Sequence, residues 1–222
     1  MHSYDFNLVG EKLTALRTGS LFWEEMSILC VSDLHLGKTH RLNRIGAGAL
    51  PPYENIDTLK RLQEDIHNTN PSCVICLGDS FDDPLAERSL STNEIDSLKI
   101  LQKGREWIWI SGNHDPYISS KYGNYFNSFS KSAITFRHIA LRGENGEISG
   151  HYHPKISVKL SNATVVRACF IADQNKIIMP AYGTYTGGMS VRSDEIKELV
   201  DPDAIVMLTG KKIRAIPYSS CF

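Results

Sequence analysis

The chain has 222 residues, 41% hydrophobic and 22% charged, with 24 Lys and Arg against 25 Asp and Glu for a formal charge of -1. This fits one domain over residues 1–222 with a sizeable core and excludes a disordered or polyelectrolyte chain. The longest apolar runs, such as Ala204–Leu208, are five residues, far short of the roughly 20 that span a bilayer; the opening Met1-His2-Ser3-Tyr4-Asp5 lacks the pattern of a secretory signal, so a cytoplasmic protein without a membrane segment is expected.

In chain order, short β-rich pieces run from Tyr4–Val9 to Ser27–Ser32, the latter apolar enough for a buried strand that leads into Asp33. Ile56, Leu59, Leu62 and Ile66 recur at helical spacing and predict a helix over 55–68, stopped by Asn70-Pro71. Cys73–Leu77 reads as the next buried strand. Its two cysteines stand three steps apart, about 10 Å and on opposite faces, which excludes one shared zinc or a disulfide. The five cysteines are an odd number without a disulfide framework, so reduced, buried thiols are expected. Ser91-Thr92-Asn93-Glu94 has the form of a capping box, with Gly104 closing the helix that follows. Trp107–Ile110 is a third strand.

Beyond it strands prevail, at Ile156–Leu160, Thr164–Ile171, Lys176–Met179 and Ala204–Leu208, with hairpin turns at Asp173-Gln174-Asn175 and Thr209-Gly210-Lys211-Lys212. Neither repeats nor a long linker interrupt the chain. An α/β first half and a β-rich second half predict two packed sheets flanked by helices.

Four polar clusters interrupt these strands: Asp33-Leu34-His35, Gly78-Asp79, Gly112-Asn113-His114-Asp115 and Gly150-His151-Tyr152-His153. The first three follow apolar strands directly, and the carboxyl ends of strands in open α/β sheets are where loops converge on ligands. If these segments stay extended, residues two apart face the same way, pairing Asp33 with His35 and His151 with His153. Glycines before Asp79, Asn113 and His151 let backbone approach closely. Taken singly, each cluster has an ordinary explanation as a capped loop or a turn. Together, their carboxylates, imidazoles and amide oxygen suit Mn, Fe or Zn better than calcium, and the mixture argues for more than one ion.

These residues resemble the calcineurin-like metallophosphoesterase superfamily, whose ordered motifs are DxH, GD, GNHD, a separate His and GHxH. His138 alone among histidines lies between His114 and His151 and stands for the separate one. The resemblance implies a four-layer α/β sandwich of two mainly mixed sheets flanked by helices. It implies that Asp33, His35, Asp79 and His153 hold one divalent metal and Asp79, Asn113, His138 and His151 another, with Asp79 as bridge and manganese the first choice of metal. Two ions about 3.5 to 4 Å apart hold a bridging hydroxide and neutralise phosphate oxygens in an in-line displacement. His114 takes the family role of protonating the leaving alkoxide. Asp115 either orients that imidazole or caps the loop before Pro116.

Asp33–Lys38, Gly150–Pro154, Arg167–Phe170 and the run Pro180–Gly188 further resemble the bacterial ligase-associated DNA damage response endonuclease family. That likeness implies a phosphodiesterase acting on DNA in repair, with a DNA ligase and a helicase as functional neighbours. Lys38, Arg41 and Arg44 are expected on a loop at the site rim, where such cations hold phosphodiester backbones, or else on an ordinary solvated loop. Arg137, Lys155 and Arg167 are candidates to extend that surface. Tyr182 and Tyr185 either stack a base or belong to a half-buried turn. His2 and His67 have no ligand partner at useful spacing, and Trp23, Trp107 and Trp109 are expected in the core. Two other readings stay open: a hydrolase of small nucleotide, cyclic nucleotide or pyrophosphate esters, and a protein-binding scaffold without catalysis.

Overall fold

The computed structural model describes residues 2–48, 50–116, 123–159, 161 and 163–222. In β5 (Cys73–Leu77), Cys73, Ile75 and Leu77 enter one core while Val74 and Cys76 enter another, the period of two of a strand buried on both faces. β4 (Ile28–Val31) and β6 (Glu106–Ile110) flank it in parallel, and β7 (Asn124–Phe126) lies parallel beyond β6. An antiparallel meander of β1 (Ser3–Leu8), β2 (Glu11–Leu16) and β3 (Leu21–Trp23) completes a seven-stranded mixed sheet.

The second sheet holds β8 (Ser128–Lys131), β9 (Ile134–Arg137), β10 (Glu147–Ser149), β12 (Thr164–Ala172), β13 (Lys176–Ile178), β14 (Ile205–Leu208) and β15 (Arg214–Pro217), in the order β15-β14-β12-β13-β10-β9-β8. β11 (Lys155–Lys159) forms a hairpin with β12. The pairs β9–β10 and β10–β13 are parallel.

Ile75 and Ile108 of the first sheet meet Phe136, Ile148, Phe170 and Met207 of the second in the core between the sheets. Helices α2 (Glu54–Thr69), the short α3 (Ala86–Ser89) and α4 (Thr92–Gln102) cover the outer face of the first sheet through Leu59, Leu62, Ile66, Ala86, Leu98 and Leu101. The outer face of the second is covered by α5 (Asp194–Lys197), through Ile196, and by a closing 3-10 turn. The fold is thus α/β, two mixed sheets between helices.

The capping box forms as expected, with the Glu94 amide donating to Ser91 Oγ at 3.4 Å and the Ser91 amide to the Glu94 carboxylate at 2.7 Å. All five cysteines are free and buried, and the three tryptophans lie in the core. No described helix is long and apolar enough to cross a membrane. Leu160, the last residue of one expected strand, lies outside the described residues.

Two expectations require correction. Ile56 is 60% exposed, because the apolar stripe of α2 meets the sheet only from Leu59 onward. The segment carrying Lys38, Arg41 and Arg44 is a helix, α1 (Lys38–Arg44), not a loop. Seven residues form no stable helix alone. Here the Gly37 amide donates to Asn55 Oδ1 and the Thr39 amide to Glu54 Oε1, tying the first turn to the start of α2.

Candidate metal centre

The parallel strands of both sheets end at one edge, and each delivers a loop there. β4 leads to Asp33 and His35, β5 to Asp79, β6 to Asn113 and His114, β9 to His138, and β10 to His151 and His153. Backbone bonds lock these loops together. The Asp33 amide donates to the Gly78 carbonyl at 3.2 Å, His35 to Asp79 at 2.9 Å and Gly150 to His138 at 2.9 Å. The turn after β13 closes beneath them, where Tyr182 and Gly183 donate to the carbonyls of Ser32 and Asp33.

The first and last loops are not extended, which corrects the simple alternation expected of them. Asp33 (φ 52°), His35 (46°), Asp79 (46°), His151 (69°) and His153 (45°) all occupy the left-handed region. Each such residue costs about 1–2 kcal/mol and persists where surrounding structure imposes it. Close approach also demands glycine. A Cβ at Gly112 would overlap the backbone and carboxylate of Asp79, and one at Gly150 would overlap the Ser32 hydroxyl and reach the Asp33 carboxylate.

Two groups of donors result: Asp33, His35 and His153, and Asp79, His138 and His151. In the first, His153 Nε2 lies 3.0 Å from Asp33 Oδ1. In the second, His138 Nε2 is 3.4 Å from Asp79 Oδ2, 3.0 Å from Asn113 Oδ1 and 3.3 Å from His151 Nδ1. Asp79 falls in the second group, whereas Asp33 reaches toward both, 3.9 Å from His138 Nδ1. An open groove of about 450 Å³ is lined in part by Asn113 and the buried His138.

Hydrogen bonds assign the imidazole faces. A carbonyl only accepts, so Nδ1 of His138 is the donor to Leu77 O at 2.8 Å, and Nδ1 of His114 donates to Asp82 O at 2.9 Å. His35 Nδ1 donates to the Asp82 carboxylate at 2.8 Å. In His138 and His35 this leaves Nε2 toward the other donors, the arrangement by which partners orient metal-ligating histidines, and in His114 it leaves Nε2 as the nitrogen not bonded to Asp82.

Whether these residues fit a cation is decided by which atoms lack partners. Asp33 Oδ1, His35 Nε2 and His153 Nε2 are buried and none makes a well-aligned hydrogen bond; Asp33 Oδ1 and His153 Nε2, 3.0 Å apart, have only each other. Three buried polar atoms converging on one point with so little hydrogen bonding between them are costly in a protein interior. A divalent cation with mixed N/O preference satisfies all three, so the donor set fits such an ion. Asp33 Oδ2, in contrast, already accepts from Ser32 Oγ and from the His151 amide.

The electrostatics agree with a site prepared for positive charge. Burial acts to raise Asp79, but the hydrogen bond and charge of His138 outweigh it and hold the carboxyl at about 2. Burial likewise acts against the charge of His138, yet Asp79 and Asp33 raise that imidazole to about 9. A metal ion would take the place of that proton.

Asp82 is the residue that sequence reasoning missed. Its buried carboxylate accepts from His35 and Arg41 and lies 3.6 Å from Lys38 Nζ, so these hydrogen bonds and the neighbouring Lys38 charge hold it well below the usual carboxylate range against the penalty of burial. A signal was present, since Asp82 follows Asp79 by three residues in the same polar loop. His35, Asp82 and His114 also lie close together, but the bonds to Asp82 are already made, which leaves it a support rather than an open ligand.

Asp115 is placed differently from one of its two expected roles. Its carboxylate accepts from the amides of Ser80 at 2.7 Å, Phe81 at 2.9 Å and Gly112 at 3.1 Å, while the His114 ring is oriented by the Asp82 carbonyl. Burial raises the Asp115 carboxyl to about 7. Tyr182 is buried, donating to Asp65 beneath the Arg61 guanidinium, which excludes base stacking; Tyr185 is exposed.

The expected cationic rim is internally neutralised. Lys38 and Arg41 pair with Asp82, Arg44 with Asp83, and Arg137 with Glu147 at 3.0 Å. Lys155 donates to the Thr186 carbonyl.

A family model described as calcineurin-like phosphoesterase matches residues 26–206. Among solved structures, a Pseudomonas putida nuclease MPE superposes with a TM-score of 0.75 at 20% identity, covering 96% of this chain and 100% of that one. Yfce, a phosphoesterase from E. coli, is more distant, with a TM-score of 0.39 at 11% identity over 88% and 94% of the two chains. No curated protein matches the chain in sequence.

Proposed function

Because the chain belongs to the calcineurin-like phosphoesterases, and is therefore a metallophosphoesterase, we propose that it is a dinuclear phosphodiesterase whose substrate is DNA. The observation that carries the metal chemistry is the convergence of three buried polar atoms without a well-aligned hydrogen bond, Asp33 Oδ1, His35 Nε2 and His153 Nε2. Asp33, His35 and His153 would hold one ion and Asp79, Asn113, His138 and His151 the other, with Asp79 shared between them. Manganese is our first choice for this mixed donor set, with iron or zinc as alternatives. When bound, such a pair supplies a water of lowered pKa and neutralises phosphate oxygens.

The chain's own residues do the rest. Asp82 fixes the His35 and His114 rings, the latter through its carbonyl. With Nδ1 of His114 donating to that carbonyl, Nε2 is the atom that gives a proton to the departing alkoxide. Asp115 acts on backbone, holding the loops after β5 and β6 together. Lys38, Arg41 and Arg44 are at most indirect substrate contacts in this reading, since Asp82 and Asp83 take their charge. The nuclease that shares the fold supports a nucleic-acid substrate. A DNA-repair setting, with a ligase and a helicase as functional neighbours in the cytoplasm, extends the same proposal from the family resemblance.

The test is hydrolysis by metal-stripped protein, reloaded with manganese, of a chromogenic phosphodiester and its matching monoester, each titrated with single-stranded DNA. The expected result is a preference for the diester that DNA competes away. Preference for the monoester, or indifference to DNA, would move the function to small phosphate esters.

A further inference from the structure

The hairpin β11–β12 and the hairpin β14–β15 enclose a groove of about 410 Å³ on the second sheet. Its walls include Val158 and Val165, and its cations are Arg167, Lys211, Lys212 and Arg214, with no carboxylate among the lining residues. None of these four side chains makes an ion pair or a hydrogen bond among the described residues. In a chain of net charge -1, four unmatched cations around one groove do not follow from general basicity. Like charges repel, and their juxtaposition without acids is the footprint of an absent polyanion.

The groove is rigidly built and close to the metal centre. The Thr209 amide and hydroxyl both donate to the Ala168 carbonyl, at 2.9 and 2.8 Å, and the Gly210 amide donates to Arg17 O at 2.9 Å. These bonds pin the turn carrying Lys211 and Lys212 over Arg167. Arg167 stands opposite Ile156 in the hairpin register, three residues beyond His153. At about 3.3 Å per strand residue and roughly 5 Å across the pair, the backbones of His153 and Arg167 are within about 15 Å, or roughly four nucleotides at 3.4 Å each.

We propose that this groove holds the phosphodiester backbone of a nucleic-acid strand flanking the bond presented to the metal centre. The inference rests on the phosphodiesterase reading of that centre and adds to it where the polymer runs. Aliphatic walls without an aromatic platform favour backbone contact over base stacking, so the groove positions a strand without reading its sequence.

The test measures binding of a labelled phosphorothioate oligodeoxythymidine, which keeps the backbone charge and resists cleavage, to the full metal-loaded chain across a salt series. In Arg167→Gln/Lys211→Gln/Lys212→Gln/Arg214→Gln, the slope of log affinity against log salt should fall by about 3, at about 0.7 for each phosphate that is no longer neutralised. Lys211→Gln/Lys212→Gln, confined to the exposed turn, should lower it by about 1.4 and serves if the fourfold variant does not fold. Wild-type affinity and slope in these variants would overturn the groove while leaving DNA as the substrate. Absence of salt-dependent binding by the wild-type chain would overturn both.

Discussion

Two basic segments look alike in sequence and behave oppositely in the fold. Lys38, Arg41 and Arg44 on α1 are matched by Asp82 and Asp83, whereas Lys211, Lys212 and Arg214 beside Arg167 have no acid opposite them among the described residues. The first set helps to build the site, since Lys38 and Arg41 keep ionised the carboxylate that orients His35. The second set leaves its charge available to a partner. A cluster of positive residues is therefore a footprint only after its internal partners are subtracted.

The largest expected effect separates chemistry from polymer binding. Asp79→Asn should strip metal from the centre and bring turnover to the level of unloaded protein, while oligonucleotide binding through the groove persists. Metal analysis paired with anisotropy checks this; full metal occupancy would remove Asp79 from the ligand set. Next, His114→Ala should keep metal but slow a diester with a poor leaving group by roughly 10²- to 10⁴-fold, and one with a good leaving group far less. Equal losses on the two substrates would count against proton donation by His114.

Asp82→Asn probes the comparison itself. Loss of the carboxylate behind His35 should weaken metal binding or activity roughly 10- to 100-fold. The same change frees Lys38 and Arg41 from their counter-charge, so the salt dependence of oligonucleotide binding should steepen. An unaltered slope would mean that α1 does not face the polymer.

Much of the site was legible because its signals are local. The apolar strands β4, β5 and β6, the polar clusters at their ends and the capping box of α4 follow from side-chain periodicity and from residues a few positions apart. The separation of Cys73 from Cys76 onto opposite cores follows from the same period of two. The bonds of Asp82, the α1 helix and the backbone contacts of Asp115 were not legible, because each depends on partners remote in the chain; position in a polar loop could mark Asp82 only as a candidate. His35 lies 47 residues from Asp82, and Asp115 lies 35 from Ser80.

Sequence by itself thus determined which residue types line the edge of the parallel strands, and with them the metal-dependent chemistry that family membership supports. Tertiary structure alone decided how they meet. Interlocked loops force Asp33, His35, Asp79, His151 and His153 into left-handed conformations that local preference disfavours. Long-range ion pairs decided which cations are spent inside the protein and which are left for a partner, because charge neutralisation depends on distance in space and not along the chain.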